Sequence, residues 1–384
     1  MAAVGAAGFA RHPDAFLRQP DFALTYIAAK ETGRPEAMYE PRAMSALART
    51  HRVNGYAPGN WFLYPPGVAI LFLPFAALPY TTAAVLWLLI SAAGLVWGTW
   101  MVLSLLRFPP RARGALAVGV LAIPPSLQML VHGQTDWILL LALVAVGSTA
   151  TPRGSMSSAG ALTGLAAALK IFPCLFFAAV PPRHVRPMIL GALASASVIV
   201  LAGAIPGGGF SLISYWLESL HAHAARDFSA EVSNQSLSAV LARLVGHGTA
   251  GIEAMTAVLL TGCVAVVLAT TRPRGPLRID RLLRLTSLTA LALLLLPISW
   301  DHYPVLLVPG AATLHLAARR SPPAWGLYLA GSSLLVLHRF WRWLVPIAGA
   351  PATALACAGT VLYLAASLVL LRGRHAPLRA PHRP

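Results

Sequence analysis

Charge is scarce in this sequence: Asp, Glu, Lys and Arg make up only 11% of its 384 residues, against about a quarter in a soluble globular chain. Too few charged groups are present to hydrate the surface of a soluble protein of this size. Acids are scarcer still, 12 against 29 Lys and Arg, for a formal net charge of +17. In a soluble protein that excess would suggest nucleic acid, but here the basic residues flank apolar runs, so no nucleic-acid partner is expected. Cys174, Cys263 and Cys357 stand singly in apolar stretches. They have neither the spacing of a zinc site nor the pairing of a disulfide framework, and read as packing residues. Heptads, low-complexity tracts and internal repeats are also missing, which argues against a coiled coil and against a transporter built on inverted repeats. The N-terminus lacks the pattern of a signal peptide, because Arg11 arrives before an adequate apolar core.

What the chain has in excess is apolar length. Hydrophobic residues make up 57% of it and the mean hydropathy is +0.68, with runs long enough to cross a hydrocarbon core of about 30 Å. Pro, Gly and Arg clusters divide these into expected spans at Ala83–Leu106, Gly114–Val131, Thr135–Ala150, Pro187–Ile205, Ile252–Thr270, Leu285–Trp300, Tyr303–Ala318, Ala324–His338 and Ala350–Leu371. Arg153 and Arg183 flank Ala159–Val180, and both belong in the cytoplasm. A single crossing cannot achieve that, so a helical hairpin over 159–180 is expected, broken at Lys170-Ile171-Phe172-Pro173 with Lys170 at its outer tip.

The resulting all-α polytopic protein has about eleven membrane segments. Residues 1–82 form an outer region, 83–206 a first set of transmembrane helices, 207–251 a second outer loop, 252–371 the remaining helices and 372–384 a cytoplasmic tail. Within the outer region, Tyr64-Pro65-Pro66 to Pro79 reads as a short re-entrant or interfacial helix. With this threading, seventeen of the 29 basic residues lie inside beside Asp280 alone, and the other eleven acids lie outside. The acids played no part in placing the spans, so their one-sided distribution supports the topology independently.

Most ionisable residues then fall near outer span ends, where water and membrane-embedded substrates both come within reach. Asp21 opens a stretch, Asp21 to Ala29, that reads as the start of an amphipathic helix; it suits either an N-cap or a carboxylate general base. His132-Gly133-Gln134-Thr135-Asp136 opens a span, as capping residues or as ligand contacts. Lys170 either snorkels to the interface or meets a lipid phosphate. Trp300-Asp301-His302-Tyr303 puts a polar pair between two apolar runs, where Asp301 can orient and charge His302 for contact with a phosphate. His221, His223, Arg226, Asp227, Asn234 and Ser236 read as solvated loop residues, and no metal site or cofactor is expected from them.

Taken in order, Asp21-Phe22, Tyr64-Pro65-Pro66, Gly133-Gln134, Lys170-Ile171-Phe172-Pro173, Asn234-Gln235-Ser236 and Trp300-Asp301-His302-Tyr303 resemble glycosyltransferase family 87, over about Gln19 to Pro309. The resemblance implies a GT-C fold in the plasma membrane. It also implies inverting transfer of a hexose, often mannose, from a polyprenyl-phosphate donor to a lipid-linked or cell-envelope glycan acceptor on the outer face. It makes Asp21 the catalytic base and places Lys170 and His302 at the donor phosphate, with Tyr64, Gln134, Asn234 and Asp301 as possible substrate contacts. The family carries a transmembrane helix before its Asp-bearing loop, and the first twenty residues here offer none, so that first helix is expected to be missing. The competing expectations are a polyprenyl-phosphate-sugar flippase or transporter, and a non-catalytic assembly subunit.

Overall fold

The computed structural model describes residues 13–151, 154–204, 211–224, 231, 233–245, 256–257, 260–264, 278–296, 298–344 and 349–373. Its named elements are all helical, and among the described residues the sole pairing of extended backbone is an isolated bridge between Asn234 and Trp300. The chain divides into two compact units, one of Met1–Thr149, Arg153–Cys174 and Arg183–Asp227, the other of Ala150–Pro152, Leu175–Pro182 and Phe228–Pro384.

The first unit begins with α1 (Pro13–Arg18) and α2 (Pro20–Lys30), followed by a 3-10 turn at Pro35–Tyr39 and α3 (Pro41–Thr50). Glu40 caps α3 by accepting from Arg42 N and Ala43 N, satisfying donors that a helix start leaves open. Two short helices, α4 (Pro66–Leu71) and α5 (Leu73–Ala76), occupy the stretch expected to be interfacial and lead into α6 (Tyr80–Leu105). This last helix matches the expected span at 83–106 closely, since 26 residues without a charge leave no earlier place to stop.

The expected span at 114–131 is two helices instead. α7 (Pro110–Gly119) continues through a 3-10 turn at Val120–Ala122, and the chain bends by 60° into α8 (Pro124–His132). Pro124 and Pro125 account for the bend: they supply no backbone N–H, and Pro124 drives Ile123 into the extended conformation observed there. Next come α9 (Asp136–Ser148), α10 (Met156–Leu169), a 3-10 segment at Phe172–Ala179 whose residues from Leu175 onward belong to the second unit, and α11 (Pro182–Ala204), of the first unit from Arg183. The expected break at Lys170 is present. However, α10 has 14 residues and the 3-10 segment eight, giving lengths of about 21 and 16 Å, so neither limb spans about 30 Å by itself. The unit's last described helix is α12 (Ser211–Ala224).

Small residues let α10 and α11 touch. A Cβ at Gly160, Gly164 or Gly191 would strike backbone atoms of the facing helix, and Ser195 Oγ donates across the seam to Ala161 O at 2.8 Å. Lipid tails are as apolar as leucine, so close backbone approach and interhelical hydrogen bonds hold such pairs together.

The second unit contains α13 (Leu237–Val245), α14 (Arg278–Leu295), a 3-10 turn at Tyr303–Leu307, α15 (Val308–Ala318), α16 (Pro322–Leu344) and α17 (Gly349–Gly373). Every residue of α14 from Arg281 to Leu294 is buried, making this helix the unit's centre. It starts seven residues before the expected span, inside the basic cluster, because Arg284 Nε bonds Asp280 Oδ2 at 2.9 Å one turn away. Gly331 of α16 and Gly359 of α17 provide another close seam, beside a 2.8 Å contact between the Ser332 and Tyr363 hydroxyls.

By length and composition, three described helices qualify to cross a membrane, Tyr80–Leu105, His184–Gly203 and Ala354–Arg372, or four if the bent pair is one span. The count of eleven is not reached among the described residues, because α9, α10 and α15 are short and much of 252–270 lies outside them. Cys357 is buried, as a packing residue should be, but Cys174 and Cys263 are exposed and are not core residues.

Candidate functional site

Asp21 stands on a helix that differs from its sequence expectation in two ways. Gln19, in the left-handed conformation with φ 43°, occupies the N-cap, and Asp21 is the second residue inside α2. The capping role is therefore not Asp21's. Nor is α2 amphipathic, since Phe22 to Ala29 are all buried; these eight residues between polar ends look like an outer loop in sequence but pack against aromatic side chains. Phe22 stacks on Trp87 at 5.5 Å and meets Phe75 edge-on at 5.7 Å, and Phe72 packs on Trp87 at 4.9 Å. Tyr26 donates to Leu78 O at 2.6 Å, and burial raises its hydroxyl pKa, keeping that donor protonated.

The junction between α8 and α9 comes against this helix. Gly133 ends α8 at φ 69°, and its carbonyl accepts from Trp87 Nε1 at 2.9 Å. A Cβ on Gly133 would lie 2.7 Å from Phe22 Cβ and 2.8 Å from Gln19 Cβ, so both backbone conformation and space require glycine. The next residue, Gln134, reaches Asp21: its Nε2 donates to Oδ2 at 2.6 Å. His132 Nδ1, on the last turn of α8, lies 3.8 Å from the same oxygen.

On its other side, Gln134 Oε1 accepts from Lys170 Nζ at 3.0 Å, and that ammonium also lies 2.5 Å from Asp136 Oδ1. The first unit thus brings Asp21, Gln134, Asp136 and Lys170 into one chain of contacts from three sequence regions. The Asp21 side chain is 30% exposed, Lys170 10% and Asp136 0%, so the outer end of the chain is open and the inner end closed. A partly open carboxylate held by a fixed amide has the geometry of a proton acceptor for an alcohol. Asp136 was read with its neighbours as a capping residue or a ligand contact, and its pairing with Lys170 was missed; an acid opening an apolar run and a lysine closing another was the available signal, because charges in such settings pair.

Tyr64 is half-buried beside Phe62, with ring centroids 5.4 Å apart, and its carbonyl accepts from Tyr39 Oη at 2.9 Å. These contacts do not connect it to Asp21.

The second unit positions Asn234, Ser236, Asp301 and His302. Asn234 and Ser236, expected to be solvated, are fully buried. Asn234 Oδ1 accepts from Ser236 N at 3.1 Å and Ser299 N at 2.9 Å, and Gln235 N donates to Ser299 O at 2.6 Å. The Asn234 carboxamide oxygen is thereby committed to backbone donors, tying its loop to Ser299 and Trp300, just before the turn that carries Asp301 and His302. Both of these are buried, with His302 Nδ1 4.0 Å from Asp301 Oδ1. His221 and His223 lie on α12, while Arg226 and Asp227 fall outside the described residues. Among the described residues, no three His, Cys, Asp or Glu side chains group as metal ligands would.

The sequence model of Glycosyltransferase family 87 matches residues 62–297. A polyprenol-phosphate-mannose-dependent alpha-(1-2)-phosphatidylinositol pentamannoside mannosyltransferase of Mycobacterium tuberculosis (strain CDC 1551 / Oshkosh) is 30% identical over 309 residues, covering 76% of this chain and 64% of the relative. A polyprenol-phosphate-mannose-dependent alpha-(1-2)-phosphatidylinositol mannoside mannosyltransferase of strain ATCC 25618 / H37Rv is 31% identical over 295 residues, 71% of this chain and 67% of that protein. One with the same name from Mycolicibacterium smegmatis is 30% identical over 302 residues, 72% and 67% of the two chains. The chain therefore spans about two thirds of the length of these relatives. No solved structure matches it.

Proposed function

The chain belongs to glycosyltransferase family 87, and from that premise we propose that it transfers a mannosyl group from a polyprenyl-phosphate donor to a phosphatidylinositol mannoside or related lipid-linked acceptor on the outer face of the plasma membrane. The observation that carries this reading is the contact of Asp21 with Gln134 beside Lys170, which places a half-open carboxylate and a lysine ammonium in one cluster. Asp21 takes the proton of the acceptor hydroxyl as its oxygen bonds to the anomeric carbon. The bond from that carbon to the phosphate oxygen breaks, and the polyprenyl phosphate leaves with the electron pair. One displacement inverts the anomeric centre. Lys170, whose ammonium is paired with Asp136, is assigned to the departing phosphate from its motif, as a hydrogen-bond donor one amide away from Asp21. His302 is assigned to phosphate contact from its motif alone, with Asp301 as the group that orients it.

Radiolabelled polyprenyl-phosphate mannose, presented to purified protein in lipid vesicles with phosphatidylinositol mannosides, tests the proposal. Label in a new glycolipid supports transfer. Movement of the donor between leaflets with no new glycolipid supports the flippase reading instead, and binding with neither supports an assembly subunit.

A further inference from the structure

Gln134 touches both Asp21 and Lys170, and it touches them with opposite ends of the same amide. An ammonium has donors only and an ionised carboxylate acceptors only. One orientation of the amide therefore satisfies both neighbours, Nε2 towards Asp21 and Oε1 towards Lys170, and a flipped amide would set donor against donor and acceptor against acceptor. Lys170 cannot swing away to release the amide, because its ammonium is paired with Asp136, which is 0% exposed. Leaving either charge buried without its partner is costly. The backbone holds Gln134 just as firmly: Gly133 is wedged against Gln19 and Phe22, and Gln134 N bonds Met129 O at 2.9 Å.

We propose that Gln134 is a positioning residue for the transfer reaction, fixing the carboxylate of Asp21 through an amide whose own orientation is set by the Lys170–Asp136 pair. Substrate meets Asp21, and Gln134 acts through it. With Oδ2 held by the amide, the remaining lone pairs of the carboxylate point in fixed directions, and one of them receives the acceptor proton. Asp136 acts one step further away by holding Lys170, and through it the amide. The inference rests on Asp21 being the base, and its test is arranged so that either idea can fail alone.

Gln134→Met preserves the length and stem of the side chain but removes both amide groups. In the mannosyl-transfer assay it is expected to lower kcat by about ten- to a hundredfold, the range of a misplaced reacting group, with KM for the donor within threefold of wild type. In an Asp21→Asn background, which already lacks the base, the same change is expected to add no further loss. A full multiplicative loss in that background would overturn the proposal, because a residue needed only for folding would impair both proteins alike.

A second measurement needs no turnover. The infrared difference between wild type and Asp21→Asn isolates the carboxylate stretching bands of Asp21, and the same difference in Gln134→Met is expected to show those bands displaced. Unmoved bands would overturn the proposal even if the enzyme is active. Displaced bands in Gln134→Met, together with a wild-type protein that transfers no mannose from any polyprenyl-phosphate donor, would support the positioning of Asp21 and reject the proposed reaction.

Discussion

Lys170 Nζ lies 2.5 Å from Asp136 Oδ1, with the aspartate fully buried and the lysine nearly so. The residues are 34 positions apart, one opening α9 and the other ending α10. Their pairing joins the two helix ends and neutralises a charge that each alone would impose on an apolar interior.

Removing one partner should therefore cost more than removing both. Asp136→Leu leaves the Lys170 ammonium without its carboxylate and is expected to lower stability by about 3–5 kcal/mol. The double variant Asp136→Leu/Lys170→Met should regain most of this loss. Thermal unfolding of wild type, Asp136→Leu, Lys170→Met and the double variant in lipid nanodiscs measures the cycle. Equal destabilisation by the single and double changes would contradict the pairing.

Gly133→Ala is expected to be far more damaging than alanine at an ordinary helix end. The left-handed backbone alone disfavours a side chain by about 1–2 kcal/mol, and the added methyl would overlap Phe22 and Gln19. A fall in melting temperature together with a loss of transfer is predicted, because the displaced junction carries Gln134 away from Asp21. A variant that melts and turns over like wild type would show that this junction does not hold the site.

The orientation rests on the distribution of charge and is tested by cysteine labelling. In a background with Cys174, Cys263 and Cys357 replaced, Glu218→Cys, at an exposed position of α12, is expected to react with an impermeant thiol reagent in intact cells. Arg320→Cys, exposed just beyond α15, should react after permeabilisation alone. Equal labelling in intact cells would invert or dissolve the proposed topology.

The sequence was most readable where one local signal dominates. α6 follows an uninterrupted apolar run, the break after Leu169 falls in the Lys170–Pro173 stretch where one was expected, with Lys170 extended and Phe172 opening a 3-10 segment, and the Gly133-Gln134 junction falls where polar residues interrupt two apolar segments. The 60° bend before α8 was marked by Pro124 and Pro125 but was concealed by apolar residues on both sides. Burial of α2 was not legible, because it depends on Phe72, Phe75 and Trp87, which lie at least 42 residues from its last residue. The site was half legible for the same reason. Asp21, Gln134 and Lys170 each carried a polar signal in an apolar context, whereas their order of contact and the part played by Asp136 arise from tertiary packing. Asn234 shows the converse: an amide that looked free to bind a ligand has its oxygen committed to backbone donors.

The central claim is that Asp21 accepts the acceptor proton, and Asp21→Asn tests it most directly. Asn is nearly isosteric, and Gln19 rather than Asp21 occupies the N-cap of α2, so the change spares the helix start. In vesicles with radiolabelled polyprenyl-phosphate mannose and a phosphatidylinositol mannoside acceptor, the variant should fold and bind donor as wild type does. Its turnover should fall on the order of a hundredfold or more, as for loss of a general base. Wild-type turnover from a folded, donor-binding Asp21→Asn protein would contradict the account and remove Asp21 from the chemistry.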